Sequence, residues 1–268
     1  MQRSLTRDCQ SLRMGYDTNT MQQEYFEKYI MNVRGLSPKT AYNYHHALVK
    51  IAKVLKEKGW YEFESIYEID SYADLKELES SLKKNTEFVE LDERGKNMYT
   101  AGLHNYMQFI EGEHFKRVEN PLRLLDSKIP VAPKRVQIAR EVPTRDHILV
   151  RQVLMAEQYT CLSDATHTTF TAARTLSQYM EGHHLIPMRA QDDFEYSIDV
   201  YANIVCLCPT CHRLLHHGIK EEKKPVLNRL FDLRKDRLVD SGIRLGKREF
   251  LELVAHVSTN DVQGSIRY

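Results

Sequence analysis

Residues 180 to 218 read MEGHHLIPMRAQDDFEYSIDVYANIVCLCPTCHRLLHHG and contain five of the twelve histidines of the chain. His183 and His184 lie side by side in a strand-like run, where neighbouring side chains point to opposite faces and need not share one task. His212 and His216 are four residues apart. That spacing places both on one face of a helix, where they can reach a single metal ion.

A Cys-x-x-Cys turn, formed by Cys208 and Cys211, comes just before this predicted helix and has the usual spacing of a zinc knuckle. The chain has five cysteines. An odd number argues against a disulfide framework, and the clustering of three within six residues points to metal binding. Cys206 lies in an apolar run and is predicted to be a buried core residue, and Cys9 has no assigned role.

Composition describes a soluble globular protein of 268 residues, enough for two modest domains, with 42% apolar and 28% charged residues. The net charge of +1 does not mark a nucleic-acid binder, but residues 113–160 carry nine Lys and Arg against six Asp and Glu. This basic stretch is either a solvated linker or a strap that follows phosphates. No long apolar run and no signal-peptide core are present, so we expect no membrane contact and a cytoplasmic location.

Helical periodicity dominates the rest of the sequence. We expect a helical domain over residues 1–112, a basic, proline-containing linker over 113–144 and a second domain over 145–268. The predicted helices cover 21–33, 39–57, 72–82, 94–110, 145–156, 224–239 and 247–257, with Ser37 and Pro38 starting the second and Pro225 in the first turn of the sixth. The expected buried face of the second helix consists of Tyr42, His45, Leu48, Val49, Ile51, Ala52 and Leu55.

Taken together, the motifs resemble the HNH endonucleases of the ββα-metal fold, over about residues 160–220. The matching residues are Glu181-Gly-His183-His184-Leu-Ile-Pro, Ala-Asn203-Ile-Val and Leu-Cys208-Pro-Thr-Cys211-His212-Arg-Leu-Leu-His216. The spacing from Asn to His to His is similar to that of the nuclease colicins, and the cysteine-flanked version resembles bacterial restriction nucleases. The resemblance implies a C-terminal ββα-metal domain that holds a structural zinc. Together with the helical N-terminal domain that the periodicity predicts, the expected fold class is α+β, mostly α.

The resemblance also implies roles for individual residues. His184 matches the general base that activates water, and Asn203 matches the residue that holds the turn and orients this base. His183, His212 and His216 match the ligands of a catalytic divalent ion, Mg²⁺ or another. The adjacent Glu181 either tunes His183 or is strand surface.

Cys208 and Cys211 need partners for a zinc ion. Where the family has a second Cys-x-x-Cys, this chain has Cys161-Leu-Ser-Asp164. The expected zinc set is therefore Cys161, His167, Cys208 and Cys211, with Asp164 as the rival fourth ligand. A filled tetrahedral site of this kind is structural, because it has no open position for substrate.

The resulting hypothesis is a metal-dependent DNA endonuclease of restriction or phage defence, with DNA as its partner and a homodimer favoured for double-strand cutting. Two alternatives stay open: a zinc-dependent DNA-binding module without cleavage activity, and a homing nuclease of a mobile element. The segment 25–55 resembles the helical core-binding domain of tyrosine recombinases, which clamps DNA. A helical bundle for dimerisation or partner binding is the other interpretation of the N-terminal half.

Overall fold

The structure is a computed structural model that describes residues 18–59, 63–131 and 147–255. Within these ranges the chain is mostly helical with one small sheet, as the sequence predicts for an α+β fold. Cys9 lies outside them, and so do four of the nine basic residues of the stretch 113–160, namely Lys134, Arg135, Arg140 and Arg145.

The N-terminal half is a bundle of five helices. They are α1 (Thr18–Lys28, continued by a π-helical turn over Tyr29–Val33), α2 (Pro38–Glu57), α3 (Tyr72–Lys83), α4 (Thr86–Arg94) and α5 (Met98–Glu111). The predicted start of α2 is confirmed, because the Ser37 side chain accepts a hydrogen bond from the Thr40 amide and Pro38 takes the first helical position. Aromatic side chains fill the centre of the bundle, with Phe26 packed against Tyr106 and Phe109.

Two predictions for this half are wrong. The helix predicted over 94–110 begins only at Met98, because Lys96 and Asn97 adopt the left-handed conformation and separate α5 from α4, a helix that the sequence reading did not predict. Asp92 then accepts hydrogen bonds from the Tyr99 and Thr100 amides and so caps the start of α5. On α2, Tyr42 is 60% exposed and Val49 is 49% exposed, so the buried face is narrower than expected.

The C-terminal half places two strands among four helices. Its elements are α6 (His147–Ala156), β1 (Glu181–His184), β2 (Ile204–Leu207), α7 (Pro209–His217), α8 (Lys220–Asp240) and α9 (Lys247–Ala255). The strands are antiparallel, with His183 opposite Val205 and His184 opposite Ile204. The start of α8 is a correction to the sequence reading: it begins four residues earlier than predicted, so Pro225 lies inside the helix and not in its first turn.

Side chains from both halves contribute to one continuous apolar core. The ring of Tyr25 on α1 lies 4.6 Å from the ring of Tyr201, measured between centroids. Arg237 on α8 donates two hydrogen bonds to the buried carboxylate of Asp126. The described part of the expected linker also packs inward at Phe115, Leu122, Leu125 and Ile129. The boundaries 1–112, 113–144 and 145–268 stay a prediction. Among the described residues, no helix is long and apolar enough to cross a membrane.

Candidate metal and catalytic site

The antiparallel strand pair positions the two adjacent histidines. Strand β2 is completely buried, and β1 is covered on one side by α6, where Val150 lies so close to Gly182 that a Cβ there would meet it at 2.5 Å. Gly182 therefore lets β1 approach α6 closely. Because the next two side chains leave the strand on opposite faces, His183 is half-buried while His184 is buried.

His183 converges with two histidines of α7. The centroids of the His183 and His212 rings are 5.0 Å apart, those of His183 and His216 are 5.0 Å apart, and those of His212 and His216 are 4.8 Å apart. One ring nitrogen from each residue can be chosen so that all three lie within 4.8 Å of one another. The structure thus brings together the three histidines that the sequence assigns to a divalent ion.

A carboxylate on the first residue of β1 orients one of these rings. Nδ1–H of His212 donates to Oε2 of Glu181 at 2.5 Å, and Nε2 of His212 faces Nε2 of His216 at 3.1 Å. Burial raises the pKa of Glu181, but the hydrogen bonds from His212 and Tyr179 and the charges of His212 and Arg213 together outweigh it and hold the pKa below its usual value. Glu181 is therefore the hydrogen-bond partner of His212. The sequence had left two expectations open for Glu181, which were that it tunes His183 or that it is strand surface. A carboxylate behind a ligand histidine fixes its tautomer and leaves the other nitrogen for the metal.

His184 lines the same cleft from the other face of the strand. This cleft, of about 90 Å³, is bordered by His183, His184, His212 and His216 together with Lys223 of α8. Nε2 of His184 lies 2.7 Å from Oδ1 of Asp199, and the side chains of both residues are nearly inaccessible, at 6% and 3% exposure. This buried pair was not identified from the sequence.

Asn203 ties together the backbone around these histidines. Its side chain accepts a hydrogen bond from the Ile186 amide at 2.7 Å and donates to the carbonyl oxygens of Ile186 and Ile198 at 2.9 and 2.8 Å. Its backbone carbonyl accepts from the Leu185 amide at 2.8 Å. Asn203 is fully buried and fixes the segment that follows His184.

A second group of ligand atoms lies at the start of α7. One atom each of Cys161, His167, Cys208 and Cys211 falls within 4.8 Å of the others, so these residues are placed to bind a metal ion. Nδ1 of His167 lies 3.6 Å from Sγ of Cys208 and 3.3 Å from Sγ of Cys211. Zinc bonds of about 2.0–2.3 Å in a tetrahedron separate their ligand atoms by roughly 3.3–3.8 Å, so the group fits zinc.

The thiols of this region differ in their chemistry. Burial raises the pKa of Cys161, but hydrogen bonds from the backbone of Cys208 and Asp164 and from His167 outweigh it and hold the pKa at about 7. The low pKa favours the thiolate, which is the metal-binding form. Burial raises the pKa of Cys206 well above its usual value, and Cys206 is completely buried on β2. This supports its expected place in the core.

Asp164, the rival zinc ligand, has another contact. Its Oδ1 accepts hydrogen bonds from the amide and the hydroxyl of Thr166, at 2.9 and 2.8 Å. Its Oδ2 lies 3.8 Å from Nε2 of His167, on the ring nitrogen that does not face the two thiols. Asp164 therefore stabilises the loop that presents His167, and the grouped ligand atoms do not include its carboxylate.

Comparison with known proteins agrees with this geometry. Residues 160–219 match the family model described as HNH endonuclease. This segment contains both metal-ligand groups, His184 and Asn203, and it is an HNH endonuclease domain. Searches of the curated proteins and of the solved structures gave no match.

Two residues of the site were missed or misjudged by sequence reasoning, and each left a signal. Asp199 stands between Ile198 and Val200 in an otherwise apolar run, and a carboxylate flanked in this way must find a buried partner. Glu181 starts the strand that carries His183, so its side chain shares the strand face of His183. That shared face also meets α7, which explains why Glu181 reaches His212.

Proposed function

We propose that this protein hydrolyses DNA phosphodiester bonds at the cleft between β1 and α7. The observation that carries the proposal is the convergence of His183, His212 and His216 next to His184 in one cleft. Three protein ligands leave coordination positions open, which is the arrangement of a catalytic rather than a structural site. An all-imidazole donor set suits a transition ion better than Mg²⁺, which prefers oxygen ligands.

His183, His212 and His216 would hold a divalent ion, which would supply stabilisation of the negative charge that develops during phosphodiester hydrolysis. Neighbouring residues of the chain hold the three imidazoles in position for this ion. Glu181 holds the His212 ring so that Nε2 points toward His216. Lys223 of α8 borders the cleft and donates from Nζ to the His216 carbonyl oxygen, which places a positive charge beside the position of a bound phosphate.

His184 is the general base in this proposal. The Nε2–H group of His184 donates a hydrogen bond to Oδ1 of Asp199, so the lone pair of the neutral ring lies on Nδ1. Nδ1 then takes the proton of the attacking water. A histidine suits this task because its ordinary pKa of about 6.5 lies close to neutral pH. Asn203 keeps the base in place by fixing the backbone at Leu185 and Ile186.

The second metal group has a structural role in this proposal. Zinc held by Cys161, His167, Cys208 and Cys211 joins the loop at residue 161 to the start of α7. Cys208 already caps this helix, since its Sγ accepts from the Cys211 amide. The zinc therefore fixes the helix that carries His212 and His216, in a region whose strands are only four residues long.

The N-terminal half holds the target DNA in this proposal. One face of α2 is exposed along its whole length and carries Lys39, Tyr42, His46, Val49 and Lys53. Positive and aromatic side chains on one helix face suit a DNA backbone. We place the activity in the restriction of foreign DNA in the cytoplasm, with two copies of the chain cutting the two strands.

The test is incubation of supercoiled plasmid with the purified full-length protein and Mg²⁺, Mn²⁺, Ni²⁺ or Zn²⁺. We expect nicked and linear products with at least one ion, and we expect EDTA to stop the reaction. Plasmid that is bound but never cut with any ion would favour the DNA-binding module without cleavage activity. Sequencing of the ends then gives the length of the target, since a homing nuclease cuts at long and rare sites.

A further inference from the structure

We propose that residues 169–179, here called the aromatic hairpin, form a stacking platform for an unpaired base of the DNA strand that enters the cleft. The rings of Phe170 and Tyr179 are stacked, with centroids 4.9 Å apart and planes inclined by 14°. Phe170 is 66% exposed. The ring face turned away from Tyr179 is therefore open to solvent. This inference rests on the proposed function and specifies its substrate.

The hairpin is already built to present these rings. The Tyr179 amide donates to the Phe170 carbonyl oxygen at 2.8 Å, and the Ala172 amide donates to that of Ser177 at 2.9 Å. The Thr169 hydroxyl adds a hydrogen bond to the Tyr179 carbonyl oxygen at 2.8 Å. Leu176, at the tip, has a positive φ of 51° and is 81% exposed. A preformed platform binds with little ordering cost, which favours a ligand-binding role for these exposed apolar groups.

Both ends of the hairpin are tied to the metal groups. The Tyr179 hydroxyl donates to Oε1 of Glu181 at 3.2 Å, and the other oxygen of Glu181 accepts from His212. At the opposite end, His167 of the Cys/His group lies two residues before Thr169. Phe170 is therefore connected to the cleft through Tyr179 and Glu181, because Glu181 is hydrogen-bonded to His212 and His212 lines the cleft.

Charge in this region is complementary to nucleic acid. Residues 165–180 contain no Asp or Glu, and their charged residue is the exposed Arg174. Arg213 on α7 is exposed and lies close enough to Tyr179 and Glu181 to act on both electrostatically. An aromatic surface flanked by Arg174 and Arg213, whose neighbouring carboxylate Glu181 is hydrogen-bonded to Tyr179 and His212, matches a base and its adjoining phosphates.

The geometry favours an unpaired base over an intact duplex. In a duplex both faces of each base are covered by neighbouring bases, so a protein ring can stack only on a base that is unpaired, terminal or turned out. The open face of Phe170 is planar and belongs to a rigid pair, and it therefore suits face-to-face stacking. The substrate class inferred here is DNA with an unpaired nucleotide beside the cleavage position.

The test measures fluorescence anisotropy of three labelled DNAs of equal length, without added divalent ions and at 150 mM salt. They are an intact duplex, the same duplex with a one-nucleotide bulge, and the single strand. We expect wild-type protein to bind the bulged DNA at least about tenfold more tightly than the intact duplex. Phe170→Ala should weaken binding of bulged and single-stranded DNA by about 5- to 150-fold, the range for loss of one base–aromatic stack, and should change duplex binding less than about twofold.

Two matched variants separate stacking from general loss of exposed apolar surface. Phe170→Tyr keeps a ring and should behave as wild type. Leu233→Ala removes an exposed apolar side chain on α8 and should leave all three affinities unchanged. A 2-aminopurine placed at the bulge should lose fluorescence on binding wild-type protein and keep it with Phe170→Ala, and circular dichroism confirms that each variant is folded.

Equal binding of bulged and intact DNA, or an unchanged preference in Phe170→Ala, overturns the platform. Cleavage assays on the same DNAs distinguish a failure of the platform from a failure of the proposed function. Metal-dependent cleavage without a preference for the bulge overturns the platform alone. A preference without cleavage by any metal ion supports the platform and overturns hydrolysis, and failure both to bind and to cleave the three DNAs overturns both.

Discussion

The Nε2 atom of His184 lies 2.7 Å from the Oδ1 atom of Asp199, and both side chains are enclosed by the protein. A buried carboxylate needs a hydrogen-bond donor, and a buried imidazole bonded in this way has a fixed tautomer. Asp199 thereby fixes the position of His184, and of these two residues it is His184 that borders the cleft with His183, His212 and His216.

Replacement of His184 tests the base directly. We expect His184→Ala to lower the cleavage rate by about 10²- to 10⁴-fold or more, because general-base action typically contributes that much. DNA binding and zinc content should persist, since His184 belongs to neither metal-ligand group. Cleavage at the wild-type rate by this variant counts decisively against the assignment.

Asp199→Asn tests the orientation of the base. The amide keeps the size of the carboxylate but loses its charge, and we expect cleavage to fall by about 10- to 100-fold, as for other lost orienting partners. The effect should lie in kcat rather than KM and should alter the pH profile. Asp193→Asn, on an exposed carboxylate of the same loop, is the matched control and should change neither. Equal kinetics of the two variants would remove Asp199 from the mechanism.

Cys208→Ala and Cys206→Ala are a matched pair for the zinc group. Both thiols are buried and only two residues apart, but only Cys208 lies among the grouped ligand atoms. We expect Cys208→Ala to lose zinc and to give unfolded or insoluble protein, because the zinc fixes α7. Cys206→Ala should retain zinc and lose only packing free energy. Zinc content and thermal unfolding measure both, and a Cys208→Ala protein of normal stability without zinc would contradict the structural role.

The fourth zinc ligand is decided by a pair of loop variants. His167→Ala should reduce bound zinc and lower the unfolding temperature, since its Nδ1 faces the thiols of Cys208 and Cys211. Asp164→Asn should retain full zinc, because the Asp164 carboxylate already accepts hydrogen bonds from Thr166. His167→Cys should restore zinc binding. The reverse result, zinc lost only in Asp164→Asn, would give the ligand role to Asp164.

Asn203→Asp and Asn203→Ala test how much the side-chain hydrogen bonds of Asn203 contribute to stability. The Ala variant removes three buried hydrogen bonds and leaves one donor and two acceptors without partners, so we expect the free energy of unfolding to fall by roughly 3 kcal/mol or more. The Asp variant keeps an acceptor for the Ile186 amide but buries a carboxylate against the carbonyl oxygens of Ile186 and Ile198, so it should be destabilised at least as much in chemical denaturation. A change below about 1 kcal/mol in both would argue against the role of Asn203 in holding the turn.

Parts of the site could be predicted because their members are close along the chain. The i, i+4 spacing of His212 and His216 and the Cys-x-x-Cys turn each lie within about one helical turn, so the helix alone places them. The capped start of α2 is likewise local, since Ser37 and Pro38 contain the whole signal.

Other relationships depend on the path of a loop, and sequence patterns do not determine it. Asp199 reaches His184 across 15 residues of irregular chain, and the aromatic hairpin forms through backbone hydrogen bonds that no residue type dictates. The break between α4 and α5 escaped notice because Lys96 and Asn97, rather than a glycine, take the left-handed conformation. The exposure of Tyr42 and Val49 similarly reflects which helices surround α2, not its own periodicity.

The ring contact between Tyr25 and Tyr201 has a practical consequence for dividing the chain. Tyr201 stands two residues before Asn203, and Asp126 pairs with Arg237 of α8, so Tyr25 and Asp126 cover an aromatic ring and a guanidinium of the C-terminal half. A fragment trimmed to residues 145–268 would expose the ring of Tyr201 next to Asn203 and leave the guanidinium of Arg237 without Asp126. We therefore expect that the C-terminal half produced alone is not a soluble nuclease and that the N-terminal half produced alone is not an intact helical bundle.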